Sequence, residues 1–180
     1  MARVQAVALD LFEQRGFDGV PIEEIARAAE VGPATIYRNF GDKERIVLWD
    51  EYDPMLLEAL ARELELHPVL EAVPRALATS LARVYRDDRE RILRRARLMR
   101  GTPALQLKGA ADIQALRTAV AAVLLASGRA RDELAAQVFA GAVVAAMEAG
   151  IHRWLDGEGR EALSRCFTRS FERLRQLVAV

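Results

Sequence analysis

Between Gly32 and Lys43 the chain reads GPATIYRNFGDK, with Ile36, Tyr37 and Phe40 at three- and four-residue spacing and Pro33, Ala34, Thr35, Arg38 and Asn39 on the other side. One face is apolar and turns inward; the other offers a hydroxyl, a guanidinium and an amide. Those groups suit base edges and phosphates, and a helix of about seven residues suits the major groove, its first N–H groups free to meet phosphate. A second stretch with chemistry is the arginine run Arg86, Arg89, Arg91, Arg94, Arg95, Arg97 and Arg100, whose acids are Asp87, Asp88 and Glu90. It interleaves with Ile92, Leu93, Ala96, Leu98 and Met99, which predicts an amphipathic helix with a basic face. That face is either solvated and paired with nearby acids or a seat for the phosphates of a ligand, to which guanidinium forks are matched.

Catalytic patterns are absent from the sequence. It has two histidines, His67 and His152, and no HExxH, GxSxG, Walker or GxGxxG motif, so neither an enzyme nor a cofactor is expected. Cys166 is the single cysteine and reads as a small buried hydrophobe, which leaves no disulfide framework within one chain.

The first polar stretch needs a partner helix to hold it. Ile22, Ile25, Ala26 and Ala29 recur at helical spacing ahead of Val31, so two short amphipathic helices meet at an angle about Gly32-Pro33. Gly32 suits the N-cap and Pro33 the first turn, where its missing N–H costs nothing. An earlier helix over 3–15 places Val4, Val7, Ala8, Leu11 and Phe12 on its inner stripe and Arg3, Gln5, Asp10, Glu13 and Gln14 outside it, and Gly16 ends it. Val20-Pro21 supplies no side-chain cap for the second helix, and Glu24 then lacks a capping-box partner.

The segment FEQRGFDGVPIEEIARAAEVGPATIYRNFGDKERI resembles the helix-turn-helix of the TetR family of transcriptional regulators, through Gly16-Phe17, Ile25-Ala26, Thr35-Ile36-Tyr37, Phe40 and Lys43-Glu44 in one spacing. The resemblance implies that Gly32, Pro33, Ala34, Thr35, Tyr37, Arg38 and Asn39 face the groove or its phosphates. It also implies that Lys43 reaches a phosphate from the next helix, and that Glu30 takes a turn position the family often gives to Gly, a left-handed conformation with some steric cost. A looser resemblance, carried by IVLWDEYDPMLLEAL and ARLMRGTPALQLKGAADIQALRTAVAAVL, is to the branch of that family with an acyl-CoA-like ligand domain. On that reading Arg94 and Arg95 meet phosphate while Leu98, Met99, Leu116, Val120, Phe139 and Met147 surround an apolar effector.

Composition is consistent with packed helices: 180 residues, 52% hydrophobic, few aromatics and zero formal net charge. Residues 1–45 carry six basic against eight acidic side chains, so bulk charge does not favour nucleic acid there. The N-terminus lacks a signal-peptide pattern, since Asp10 and Glu13 interrupt its apolar run. Leu134 to Ile151 is apolar but rich in Ala and Gly and holds Gln137 and Glu148, so a buried helix is expected and no membrane span.

Asp42 is placed to cap a helix from Lys43 towards His67, with Pro54 kinking or breaking it near residue 53. Further helices are expected over Val69 to about Arg86 (Val73, Leu77, Leu81 and Val84 inward), over Ala104–Ala126, from about Asp132 through Trp154, and over Arg160–Val178. Ala142, Ala146 and Gly150 permit close helix approach, and Phe167, Phe171 and Leu174 supply large partners, the makings of a two-fold four-helix interface between two subunits. The expectation is therefore an all-α protein of about nine helices. Residues 1–45 form a three-helix helix-turn-helix head, and 46–180 form a helical effector-binding and dimerisation domain. Its partners are a double-stranded DNA operator and a small apolar, acyl-CoA-like effector, and it acts as a cytoplasmic homodimer. The alternative is a helical small-molecule binding or interaction module without DNA binding.

Overall fold

The structure, a computed structural model, describes residues 1–49 and 53–178; the side chains of residues 53, 54 and 81–88 lie outside that description. Among the described residues it is all-helical, with α1 Ala2–Arg15, α2 Ile22–Ala28, α3 Pro33–Phe40, α4 Lys43–Leu48, α5 Asp53–Leu66, α6 Val69–Gly101, α7 Pro103–Ala126, α8 Glu133–Asp156 and α9 Leu163–Val178. The chain forms two compact units, one of Met1–Asp50 with Glu90–Ala110 and the other of Glu51–Arg89 with Ala111–Val180. The end of α6 and the start of α7 thus belong with the first four helices.

Two expected elements differ in extent. The helix from Lys43 stops at Leu48, because Trp49 is extended at φ −55° and ψ 122°. A new helix starts at Asp53, so Pro54 falls in its first turn, where no intrahelical N–H is needed. Tyr52, expected on the same helix, lies outside the described residues. Conversely, Val69–Arg86 and the arginine run form one 33-residue helix, with Pro74 near enough to its start to be accommodated. Leu81, Val84 and Arg86 on that helix fall among the side chains not described.

In the first unit, Val4, Ala8, Phe12, Phe17, Val20, Ile22, Ile25, Ala26, Ile36, Phe40, Ile46, Val47 and Leu105 form one apolar cluster. The inner stripe of α1 is rotated from the expected one: Gln5 and Leu9 are buried, while Val7 and Leu11 are half-buried. Gln5, expected outside, is 1% exposed, and its Nε2 donates to the carbonyls of Ile46 and Trp49, both at 2.9 Å, and of Val47 at 3.3 Å. The last carbonyls of a helix have no partner within it. Gln5 supplies one for α4, which is why a polar residue can occupy this buried position.

In the second unit α8 and α9 pack as an antiparallel hairpin around Trp154, Phe167 and Phe171. A Cβ on Gly150 would come within 2.6 Å of the Phe167 ring, so only glycine permits this approach. The Asp132 carboxylate caps α8 by accepting from the Ala135 N–H at 2.7 Å. Arg129 closes the end of α5 by donating to the Leu64 carbonyl at 2.7 Å. By length and hydropathy α7 and α8 could each cross a membrane. One face of α8 packs against α9.

Candidate nucleic-acid interface

Helix α3 begins at an extended Gly32 with Pro33 as its first residue, and no side chain caps its N-terminus. Ile36 and Phe40 are buried beneath it. Gly32, Pro33, Ala34, Arg38 and Asn39 are exposed, Tyr37 is 48% exposed and Thr35 is half-buried. Pro33, Ala34, Tyr37 and Arg38 therefore share one outward face. The turn before α3 needs a left-handed residue and finds it in Glu30, at φ 56°, a conformation that costs a non-glycine residue roughly 1 kcal/mol. The Val31 N–H closes that turn on the Ala26 carbonyl at 2.9 Å. Helix α2 lacks a side-chain cap, as Pro21 implies, and Glu24 pairs with Arg15 of α1 instead of a capping box.

Three polar groups of the interface already have partners. Asn39 Nδ2 donates to the Thr35 carbonyl one turn back, at 2.7 Å. The Tyr37 hydroxyl donates to Glu23 Oε1 at 3.2 Å; desolvation, then the charge and hydrogen bond of Glu23, push its phenol above the ordinary value. Lys43 Nζ donates to the Phe17 carbonyl at 2.7 Å and lies 4.5 Å from the centroid of the Phe17 ring. An ammonium has three donors, so this seat leaves others for a phosphate oxygen.

The acidity of the head is offset by its own tertiary structure. Glu30 pairs with Arg3 and Glu24 with Arg15. Arg94 bridges Asp10 at 2.5 Å and Glu13 at 2.6 Å, and Lys108 pairs with Asp42. With Glu90–Ala110 included, the first unit holds twelve basic and ten acidic side chains, where residues 1–45 alone hold six and eight. Asp42 also caps α4 by accepting from the Arg45 N–H at 2.9 Å. Against partial desolvation, which alone would raise it, hydrogen bonds and charge from Lys108 and Arg45 hold its carboxyl below 3.8. The folded state thus binds this proton less readily than the unfolded chain. The stability it contributes is present above the unfolded pKa and is lost as pH falls through the folded one. Lys108→Met is expected to shrink that acid-side loss, read as a smaller fall in urea midpoint between about pH 6 and about pH 3.

Residues 5–48 match the N-terminal family of bacterial regulatory proteins, tetR type, and residues 67–179 match the MftR C-terminal domain of TetR proteins. The chain belongs to the TetR family. A curated TetR-like relative, the HTH-type transcriptional regulator TcmR of Streptomyces glaucescens, is 33% identical over 109 residues, 54% of this chain. That match spans about half of the relative, 46% of its length. Among solved structures, a TetR-family regulator from Mesorhizobium loti has a TM-score of 0.61 at 19% identity, covering 98% of this chain and 95% of that one. Thermus thermophilus FadR, a TetR-family repressor in complex with lauroyl-CoA, has a TM-score of 0.58 at 20% identity, covering 98% and 92%. A TetR-family regulator from Streptomyces coelicolor has a TM-score of 0.54 at 25% identity, covering 99% and 79%.

Within this TetR chain the residues expected at a ligand divide between the two units. Leu98 and Met99 pack on the core of the first unit. Arg94 is engaged by Asp10 and Glu13, and Arg95 Nη1 donates to the Trp49 carbonyl at 2.9 Å. Val120 and Met147 are buried in the second unit, with Leu116 half-buried and Phe139 37% exposed. Of the residues expected at a dimer interface, Ala146, Gly150, Phe167 and Phe171 are buried in the chain's own α8–α9 hairpin, and Ala142 and Leu174 are half-buried. The apolar residues α8 leaves exposed are others: Leu134 and Val138, at 71% and 64%, with Ala145 and Ala149 following on the same face. Cys166 is 1% exposed, and burial, then the charge of Glu161, push its thiol upward, away from a reactive thiolate.

Proposed function

We propose that this TetR-family protein is a cytoplasmic, ligand-responsive repressor that grips a palindromic operator in double-stranded DNA as a homodimer. The observation that carries the reading is α3, with Ile36 and Phe40 sunk in the core while Tyr37, Arg38 and Asn39 stand on its outside. Residues 1–45 supply the reading surface, with Gly32 to Thr35, Tyr37 to Asn39 and Lys43 against groove and phosphates. Residues 46–180 receive the effector and join the two subunits, and they bind rather than transform their ligand.

The exposed face of α8, from Leu134 through Val138 to Ala149, is the proposed dimer surface, and it takes in the half-buried Ala142 and Leu174. The effector is small and apolar, of acyl-CoA type, a reading supported by the lauroyl-CoA bound to the FadR neighbour. Leu116, Val120, Phe139 and Met147 of the second unit are its proposed contacts. It acts by binding better to the arrangement of heads that fits DNA poorly.

Fluorescence anisotropy against DNA from upstream of the protein's own gene, with scrambled DNA as control and lauroyl-CoA added last, tests each part. Sequence-dependent binding released by the thioester is the expected result. Failure across many operators would leave a helical binding module without DNA activity. Lys43→Ala is expected to weaken all duplexes alike and to lower the salt slope by about 1 per head, whereas Arg38→Ala costs about 1–3 kcal/mol and relaxes base preference. An unchanged salt slope for Lys43→Ala would remove its phosphate role.

A further inference from the structure

We infer that Glu23 is a base-reading residue, its carboxylate held by the Tyr37 hydroxyl beside Arg38 to accept a hydrogen bond from the N4 amine of a cytosine in the major groove. This rests on the DNA-binding reading above.

Glu23 is exposed in the first turn of α2, and it reaches the outward face of α3 through the 3.2 Å bond from Tyr37. Its neighbours on the same helix and turn are neutralised, Glu24 by Arg15 and Glu30 by Arg3. Among the described residues no base pairs with Glu23, and its hydrogen-bonding partner is a neutral hydroxyl, so the full charge remains at the surface that meets DNA. Against phosphate such a charge is repulsive, and it weakens binding to every duplex equally. Against base edges it discriminates. An ionised carboxylate only accepts hydrogen bonds, so it opposes the O6 of guanine and the O4 of thymine, and it suits the N4 amine of cytosine better than the N6 amine of adenine, beside which the N7 acceptor repels it. Arg38, one residue beyond Tyr37, brings the opposite chemistry, donors that suit guanine. The two side chains together give one head both an acceptor and a donor for adjacent positions. Tyr37 is a positioning residue in this arrangement, since its single hydroxyl proton is directed at Glu23.

The test is selection of duplexes from a randomised pool by the wild-type protein, Glu23→Gln, Glu23→Ala and Tyr37→Phe, with each variant's urea unfolding as a control. The wild type is expected to recover a motif with one cytosine per half-site. Glu23→Ala is expected to lose that preference by about tenfold while the rest of the motif persists, and to bind random duplex several-fold more tightly as a negative charge is removed. Glu23→Gln, nearly the same shape but able to donate as well as accept, should admit other bases at that position and no other. Tyr37→Phe should blur the same position. Identical base frequencies for wild type and a folded Glu23→Gln would overturn the inference while leaving the DNA-binding reading intact. Recovery of no motif by the wild type would overturn both.

Discussion

Phe12→Ala is expected to destabilise the first unit by about 3–5 kcal/mol, the usual loss for emptying a buried aromatic site. Phe12 is 2% exposed within the cluster that joins α1 to α2, α3 and α4. Its ring lies 5.0 Å from that of Phe17, centroid to centroid. Phe17 in turn seats Lys43, through both its carbonyl and its ring face. The cavity would therefore let Phe17 shift, and Lys43 would lose its fixed position at the edge of the interface. Urea unfolding gives the stability change, and anisotropy well below the unfolding midpoint gives the DNA effect. A loss under about 1 kcal/mol would mean that Phe12 is not a keystone of this core.

Gln5→Met is the second large effect, about 2–3 kcal/mol, with almost no change in side-chain volume. The substitution removes one donor group and leaves buried carbonyls of Ile46, Val47 and Trp49 short of a partner. Arg95 still donates to the Trp49 carbonyl, so the residue beyond α4 keeps one tie and the helix itself loses two. Gln5→Glu should be worse than Gln5→Met, since a carboxylate would face acceptors with nothing to donate. Amide hydrogen exchange over 43–49 localises the effect; protection unchanged in both variants would show that the end of α4 does not depend on Gln5.

How legible the protein was in its sequence differs from one element to the next. Glu30, at φ 56°, was read through the family's pattern, whereas Pro21 was readable because its constraint is local: a helix start without a side-chain cap depends on a few residues. The all-α class was readable for the same reason, through apolar spacing. The extent of helices was less so. Lys43 to Leu48 is short because Trp49 turns its backbone into an extended conformation, with its carbonyl received by Gln5 and Arg95 from distant segments. The arginine run shows the same division: its amphipathic helix was evident, and its partners Asp10 and Glu13 stand more than 80 residues earlier.

What the sequence by itself determined was therefore the class of fold, the helix-turn-helix and the identity of its outward residues, because helix periodicity, glycine and proline act over a few positions. Only the tertiary structure decided which charges remain unpaired, which face of α8 stays uncovered and why Gln5 is buried. Those outcomes depend on side chains from separate helices meeting at hydrogen-bond distance, and spacing along one helix holds no record of what stands opposite it. Glu23 is the clearest case: in sequence it is one of two adjacent acids at a helix start, and in the fold its neighbour Glu24 finds an arginine while Glu23 finds Tyr37 on the reading helix.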